Sequence, residues 1–198
     1  AILADGADGG LVVADGRIAE LVPAGAAPAG PVDAVFDASA HVVLPGLINT
    51  HHHMFQTLTR AHPRAINKEL FPWLEALFPI WARNVRPDNF RLATRLALTE
   101  LLMSGCTTVS DHQYLFPKGL EDAIDIQADE AGKLGIRMVL TRGALDLSTE
   151  DGGNAVPDAT QATDVVLADC ARVIARYHDP NPGAMLQVAL APCAPFNV

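Results

Sequence analysis

Three adjacent histidines, His51, His52 and His53, stand directly behind the apolar run of the stretch LPGLINTHHHMFQ, in a chain that has only seven histidines. On an extended segment, residues two apart face the same side. His51 and His53 are therefore expected to converge on one ion while His52 points away. Neutral imidazole nitrogens suit zinc at about 2.0 to 2.1 Å. The same spacing also fits a loop of three solvated or structural histidines, and a bare His-x-His is frequent enough to be weak evidence. A purification-tag remnant fits poorly, because the run is short and internal.

Other residues with usable chemistry fall at the ends of β-prone runs. Gln56, just past the histidines, can donate and accept at once to a ligand, or it can satisfy loop backbone. Asp111 and His112 close the run CTTVSDH with Tyr114 just beyond, Arg142 stands near the end of IRMVLTRG, and Cys193 ends MLQVALAPC. Arg142 can neutralise an oxyanion or pair with an acid such as Asp146, and pairing is the safer reading. Cys193 can line a pocket or serve as a small apolar residue. In the aromatic stretch LFPWLEALFPIW, which reads as a βα insertion of the kind that forms active-site lids, Trp73 can stack on a ring. Packing of the lid itself is the safer reading for Trp73 and Trp81.

The elements that must position these residues follow from periodicity. LVVADGRIAELV reads as two β-prone runs joined by Asp15-Gly16, a dipeptide favoured in two-residue hairpins. A Pro- and Gly-rich loop follows, and HVVLPGLINTHHH reads as a buried apolar strand near a domain boundary, with residues 1–43 on one side and 44–198 on the other. Leu92, Ala93, Leu96, Ala97 and Leu101 recur at helical spacing between Pro87 and Gly105. Helices over about 120–134 and 160–177 then alternate with strands. Apolar strands separated by amphipathic helices predict a parallel sheet covered by helices, either doubly wound or a (β/α)8 barrel. No strand opens into Gly-x-Gly-x-x-Gly or a phosphate-binding Lys loop, which takes support from a nucleotide-binding doubly wound fold. In a barrel, chemistry collects at the C-terminal strand ends, where the polar residues above sit.

Composition narrows the classes. A net charge of −9 without a Lys/Arg cluster removes the usual footprint for nucleic acid or an anionic membrane. Three widely spaced cysteines with no Cys-x-x-Cys pair suggest neither a disulfide framework nor a thiolate zinc site. No apolar run approaches the roughly 20 residues of a membrane helix, and the first residues lack the pattern of a signal peptide. A cytoplasmic protein is expected.

The stretch LPGLINTHHH resembles the Pro-Gly-(x)4-His-x-His signature of the amidohydrolase superfamily, and ALTELLMSGCTTVSDH is similar to the helix and second strand of its deaminase and chlorohydrolase branch. HHHMFQTLTRA, LFPWLEALFPIWA, SGCTTVSDHQYLFP and VALAPCAPF look like the 8-oxoguanine deaminases and their hydroxyatrazine-hydrolase relatives. The resemblance implies an α/β fold: a metal-dependent (β/α)8 TIM barrel with a small β-sandwich domain. It implies one divalent metal ion on His51 and His53, zinc first and Fe2+ or Mn2+ as alternatives, and a paired, homo-oligomeric assembly.

The implied activity is hydrolytic deamination of an amino-substituted purine, 8-oxoguanine to urate plus ammonia. The alternatives are an s-triazine aminohydrolase or chlorohydrolase, such as one acting on hydroxyatrazine, and a catalytically dead metal-binding relative. Gln56, Trp73, His112, Tyr114, Arg142 and Cys193 become the candidate substrate contacts. The family's remaining histidines and its acid/base Glu and Asp have no position here. The chain is accordingly expected to hold only the N-terminal half of the barrel, its first four β/α units, with those groups beyond residue 198.

Overall fold

A computed structural model describes residue 2 and residues 5–198. The chain divides into two compact units, Ala1–Gly46 and Leu47–Val198. In the first, β1 (Gly10–Ala14) and β2 (Arg17–Val22) pair antiparallel across the Asp15-Gly16 turn. Both turn residues have positive φ, 50° and 72°, the twist that suits a two-residue hairpin. Gly9 lies against the carbonyl of Pro23, so close that a side chain there would have no room.

The second unit alternates strands and helices: β3 (Leu47–His52), α1 (Leu70–Asn84), α2 (Pro87–Met103), β4 (Cys106–Gln113), α3 (Ala123–Leu134), β5 (Arg137–Ala144), α4 (Thr163–Tyr177) and β6 (Leu186–Pro192). The four strands are parallel and stand in the order β3-β4-β5-β6. A doubly wound sheet reverses its strand order at a switch point. This sheet advances one strand at a time without reversal, the winding of a (β/α)8 barrel wall. Among the described residues no helix is long and apolar enough to cross a membrane.

Sequence punctuation set most boundaries. Pro87 opens α2, Gly105 follows its end with φ of 85°, and Gly135 closes α3 in the left-handed region. Three expectations need correction. The apolar run before the histidines is not one buried strand: β3 begins only after Pro45-Gly46, and Leu47 and Ile48 are exposed on this edge strand. The buried face of α2 is Phe90, Ala93, Thr94, Ala97 and Leu98, whereas Leu92 and Leu96 face outward. A face shifted by one residue satisfies the same period, and Phe90 at its start decides between the two.

The aromatic insertion, finally, is a helix packed into the core. Leu74, Leu77, Phe78 and Trp81 recur at i, i+3, i+4 and i+7 and are all buried. Trp81 stands edge-on to Phe55 at 5.0 Å and donates its indole N–H to Thr59 Oγ1 at 2.9 Å. That contact ties α1 to the turn beyond the histidines.

Candidate metal centre

Strand alternation decides which side chains meet. In β4, Val109, Asp111 and Gln113 are fully buried, while Thr108, Ser110 and His112 are partly exposed. The parallel register pairs His112 with Thr141 and Gln113 with Arg142. His112 therefore shares its face with Thr141, and Ser110 Oγ lies 3.2 Å from Thr141 Oγ1 on that face. Arg142 shares the opposite face with Met138 and Leu140, both fully buried.

At the end of β3 the His51 and His53 rings meet edge to face, with their Nε2 atoms 3.0 Å apart. His53 Nδ1 lies 2.8 Å from the His112 carbonyl oxygen. A carbonyl only accepts, so Nδ1 carries the proton and Nε2 keeps its lone pair. A hydrogen-bonded second nitrogen of this kind is how metal-ligating imidazoles are held in tautomer and orientation. Burial pushes the His53 imidazole down to about 4, so the ring is neutral at neutral pH.

Two ligands of a tetrahedral zinc at 2.0 to 2.1 Å stand about 3.3 Å apart, close to the separation of these two nitrogens. The pair thus fits a divalent ion in spacing, and His53 fits it in tautomer as well. Among the described residues, no group of three or more His, Cys, Asp or Glu is placed to hold a metal.

His112 is turned to a different use. Its Nε2 donates to the Ala191 carbonyl at 2.8 Å, joining the ends of β4 and β6. Its ring centre lies 5.3 Å from both His53 and Tyr114. Gln56 reaches the Tyr114 hydroxyl with its amide N–H at 3.3 Å, and burial pushes the Tyr114 phenol up. Gly143 allows this packing: a Cβ there would fall 2.7 Å from Tyr114 Cβ. Cys193 packs at the edge of the core with its thiol raised by burial to about 11, so it is a neutral wall and not a thiolate.

A cleft of about 390 Å³ opens over the pair, lined by His51, His52, His53, Gln56, Thr57, Thr59, Arg60, Ala61 and Trp73. Trp73 also packs on Trp81, with ring centres 5.3 Å apart. The chain thus brings together His51, His53, Gln56, Trp73, His112 and Tyr114.

Arg142 lies elsewhere. It is buried, donates to Asp169 Oδ2 at 2.7 Å and to Gln161 Oε1 at 2.8 Å, and lies over the Phe116 ring. Pairing with an acid is what occurs, but the acid is Asp169 of α4. Asp146 instead accepts from the Thr163 hydroxyl. Parity explains the position of Arg142: Met138, Leu140 and Arg142 alternate on one buried face of β5.

Arg60 was missed from the sequence, and Asp111 was read there only as a polar residue at a strand end. Arg60 stands on the cleft rim in a bidentate pair with Glu100 at 3.0 and 2.8 Å. Asp111 is wholly buried beneath the pair, accepting from the Met54 N–H at 2.7 Å and from the Gln127 amide. Burial raises its carboxyl to about 7. The alternation Val109-Asp111-Gln113 was the available signal.

Comparison with known proteins identifies the family. The amidohydrolase family model matches residues 42–198. The chain is 57% identical over 192 residues to the 8-oxoguanine deaminase of Pseudomonas aeruginosa, covering 97% of this chain and 42% of that protein. It is 37% identical to hydroxydechloroatrazine ethylaminohydrolase of Pseudomonas sp. strain ADP, covering 93% of this chain and 40% of the relative. An atrazine chlorohydrolase from Arthrobacter aurescens, solved with zinc, superposes with a TM-score of 0.74 at 34% identity, covering 79% of this chain and 36% of that one. The chain spans about two fifths of the length of the curated relatives it matches. A sheet wound in sequential order, a His-x-His pair at the end of its first strand and a family model running from Val42 to Val198 lead to one conclusion: the chain belongs to the amidohydrolase family.

Proposed function

We propose that this chain carries part of the active site of a metal-dependent hydrolytic deaminase, acting on the exocyclic amine of an oxidised purine: 8-oxoguanine and water give urate and ammonia. One observation carries the reading. His51 and His53 converge on a single point with His53 locked in the ligating tautomer, at the wall of a cleft large enough for a bicyclic ring. The 57% identity to an 8-oxoguanine deaminase, against 37% to a triazine-acting relative, supports the purine over a triazine.

A divalent ion, zinc by the donor set and by the zinc in the chlorohydrolase relative, supplies a water nucleophile at neutral pH when bound. His51 and His53 hold it through Nε2. Gln56, steered by Tyr114, offers one donor and one acceptor to a ring edge. Trp73, fixed against Trp81, offers a flat face and keeps water from that side. Thr57, Thr59 and Arg60 complete the polar rim. Arg142 and Cys193 take no direct part in this proposal. The acidic surface fits a small-molecule enzyme of the cytoplasm with no nucleic-acid partner, and homo-oligomeric assembly belongs to the same proposal.

The test follows ammonia release by the zinc-loaded complete gene product from 8-oxoguanine, guanine, isoguanine and hydroxyatrazine in parallel. Release from 8-oxoguanine at least about tenfold faster than from the others supports the reading; that margin is about 1.4 kcal/mol of transition-state preference. Release from the triazine alone moves the activity to the ring chemistry of the relative at 37% identity. No release from any ring overturns the enzyme reading in favour of a metal-binding protein.

A further inference from the structure

Resting on the reading of His51 and His53 as metal ligands, we propose that Asp111, locked by Gln127, is the positioning residue that holds this pair in ligating geometry. Immediately after His53 the chain turns into a 3₁₀ segment, Met54–Thr59. The first N–H groups of such a turn have no partner within it. His53, at the capping position, supplies no side-chain cap. Met54 is fully buried, so its N–H would be orphaned in the core.

The cap comes from another strand. Asp111 Oδ1 accepts the Met54 N–H at 2.7 Å, and Oδ2 is held by the Gln127 amide of α3. The next residue of β4, His112, offers its carbonyl to His53 Nδ1. Two successive residues of β4 thus clamp two successive residues of the metal segment, one through its backbone and one through its ring. His52 Nδ1 stands 3.8 Å from Asp111 Oδ1, too far for a hydrogen bond. The carboxylate is left to serve the backbone. A loosened Met54 amide frees the hinge between His53 and the turn, and His51 and His53 lose their shared focus.

The test measures the zinc dissociation constant of the complete gene product by competition with a chromophoric chelator. The visible spectrum of the cobalt(II) form and the melting temperature of the metal-free form are read alongside. Asp111→Leu is expected to weaken zinc 10- to 100-fold or so, the loss usual when a ligand's supporting contact is removed. Asp111→Asn, whose Oδ1 still accepts the Met54 N–H, is expected to stay within about threefold of wild type. Gln127→Leu falls between them and shifts the cobalt spectrum.

A lower melting temperature in Asp111→Leu with zinc affinity and spectrum unchanged would overturn the positioning role, as would an Asn variant as weak as Leu. Should Asp111→Leu not fold, an unchanged zinc constant in Gln127→Leu overturns it equally. Zinc lost in His51→Ala but kept in Asp111→Leu defeats this proposal alone. Wild type that binds no zinc defeats the metal pair and this proposal together.

Discussion

On the outer helices Glu130 is wholly buried yet meets Arg91, Arg95 and Lys133, whereas at the ends of β3 and β4 the rings of His51, His53 and His112 face one another with no counter-charge among them. The same contrast runs between α3 and α4, where Asp125 of α3 takes Arg172, Arg176 and the Tyr177 hydroxyl, and Asp169 of α4 takes Arg142 and Arg172. Charges in the helix layer are neutralised in place and do packing work. At the strand ends the bond from His53 Nδ1 to the His112 carbonyl spares the Nε2 lone pair of that ring. Paired charges mark structure here, and imidazole nitrogens directed at a common point mark the site.

The largest effect should come from breaking the histidine pair. His53→Ala removes one of two converging nitrogens and the tie to the His112 carbonyl; zinc content by elemental analysis should fall to background and deaminase activity drop by roughly 10³-fold or more. The fold should change little, because the ring carries no core packing comparable to Phe55 or Trp81. A variant that keeps zinc at wild-type stoichiometry would contradict the assignment.

Next in size is Leu98→Ala, in the core under α2, expected to cost about 2 to 5 kcal/mol in urea unfolding. Its partner test is Leu92→Ala on the outer face of the same helix, expected within about 0.5 kcal/mol. Equal costs would mean that the buried face has been misassigned. Gly143→Ala should cost about 1 to 3 kcal/mol by pressing on Tyr114, with a changed near-ultraviolet circular dichroism signal as its mark.

Glu130 sharpens the other side of the contrast. Hydrogen bonds from Arg95 and then from Arg91 and Lys133 hold its carboxyl down at about 2, against 4.5 for a free one. A lowered folded-state value means that its stabilisation is complete above about pH 4.5 and is lost as the pH falls toward 2. Glu130→Gln should therefore flatten the acid limb of the stability curve between those values. At pH 7 it should cost about 1 to 3 kcal/mol, reduced because its cationic partners are half exposed. An unchanged acid limb would show that the helix network is not coupled to folding.

Much of this was legible in the sequence because local rules act alone there. Asp15-Gly16 dictates a hairpin, Pro87 and Gly135 dictate helix ends, and the period-2 spacing of His51 and His53 dictates a shared face. What was not legible depends on which face a neighbour covers. Arg142 sits at a strand end like His112, but the register of β4 against β5 sends it toward α4. Leu92 and Leu96 obey helical periodicity yet face outward, because Phe90 and Leu98 claim the core. Asp111 reads as one more polar residue at a strand end, and its role emerges only once Met54 and Gln127 are seen on either side.

The account's central claim is that His51 and His53 share one ion. Diffraction from zinc-loaded crystals of the complete gene product, recorded on both sides of the zinc absorption edge, tests it directly. The account predicts one anomalous peak about 2.0 to 2.1 Å from Nε2 of both rings. A peak bound by only one of them, or zinc held away from the end of β3, would contradict it.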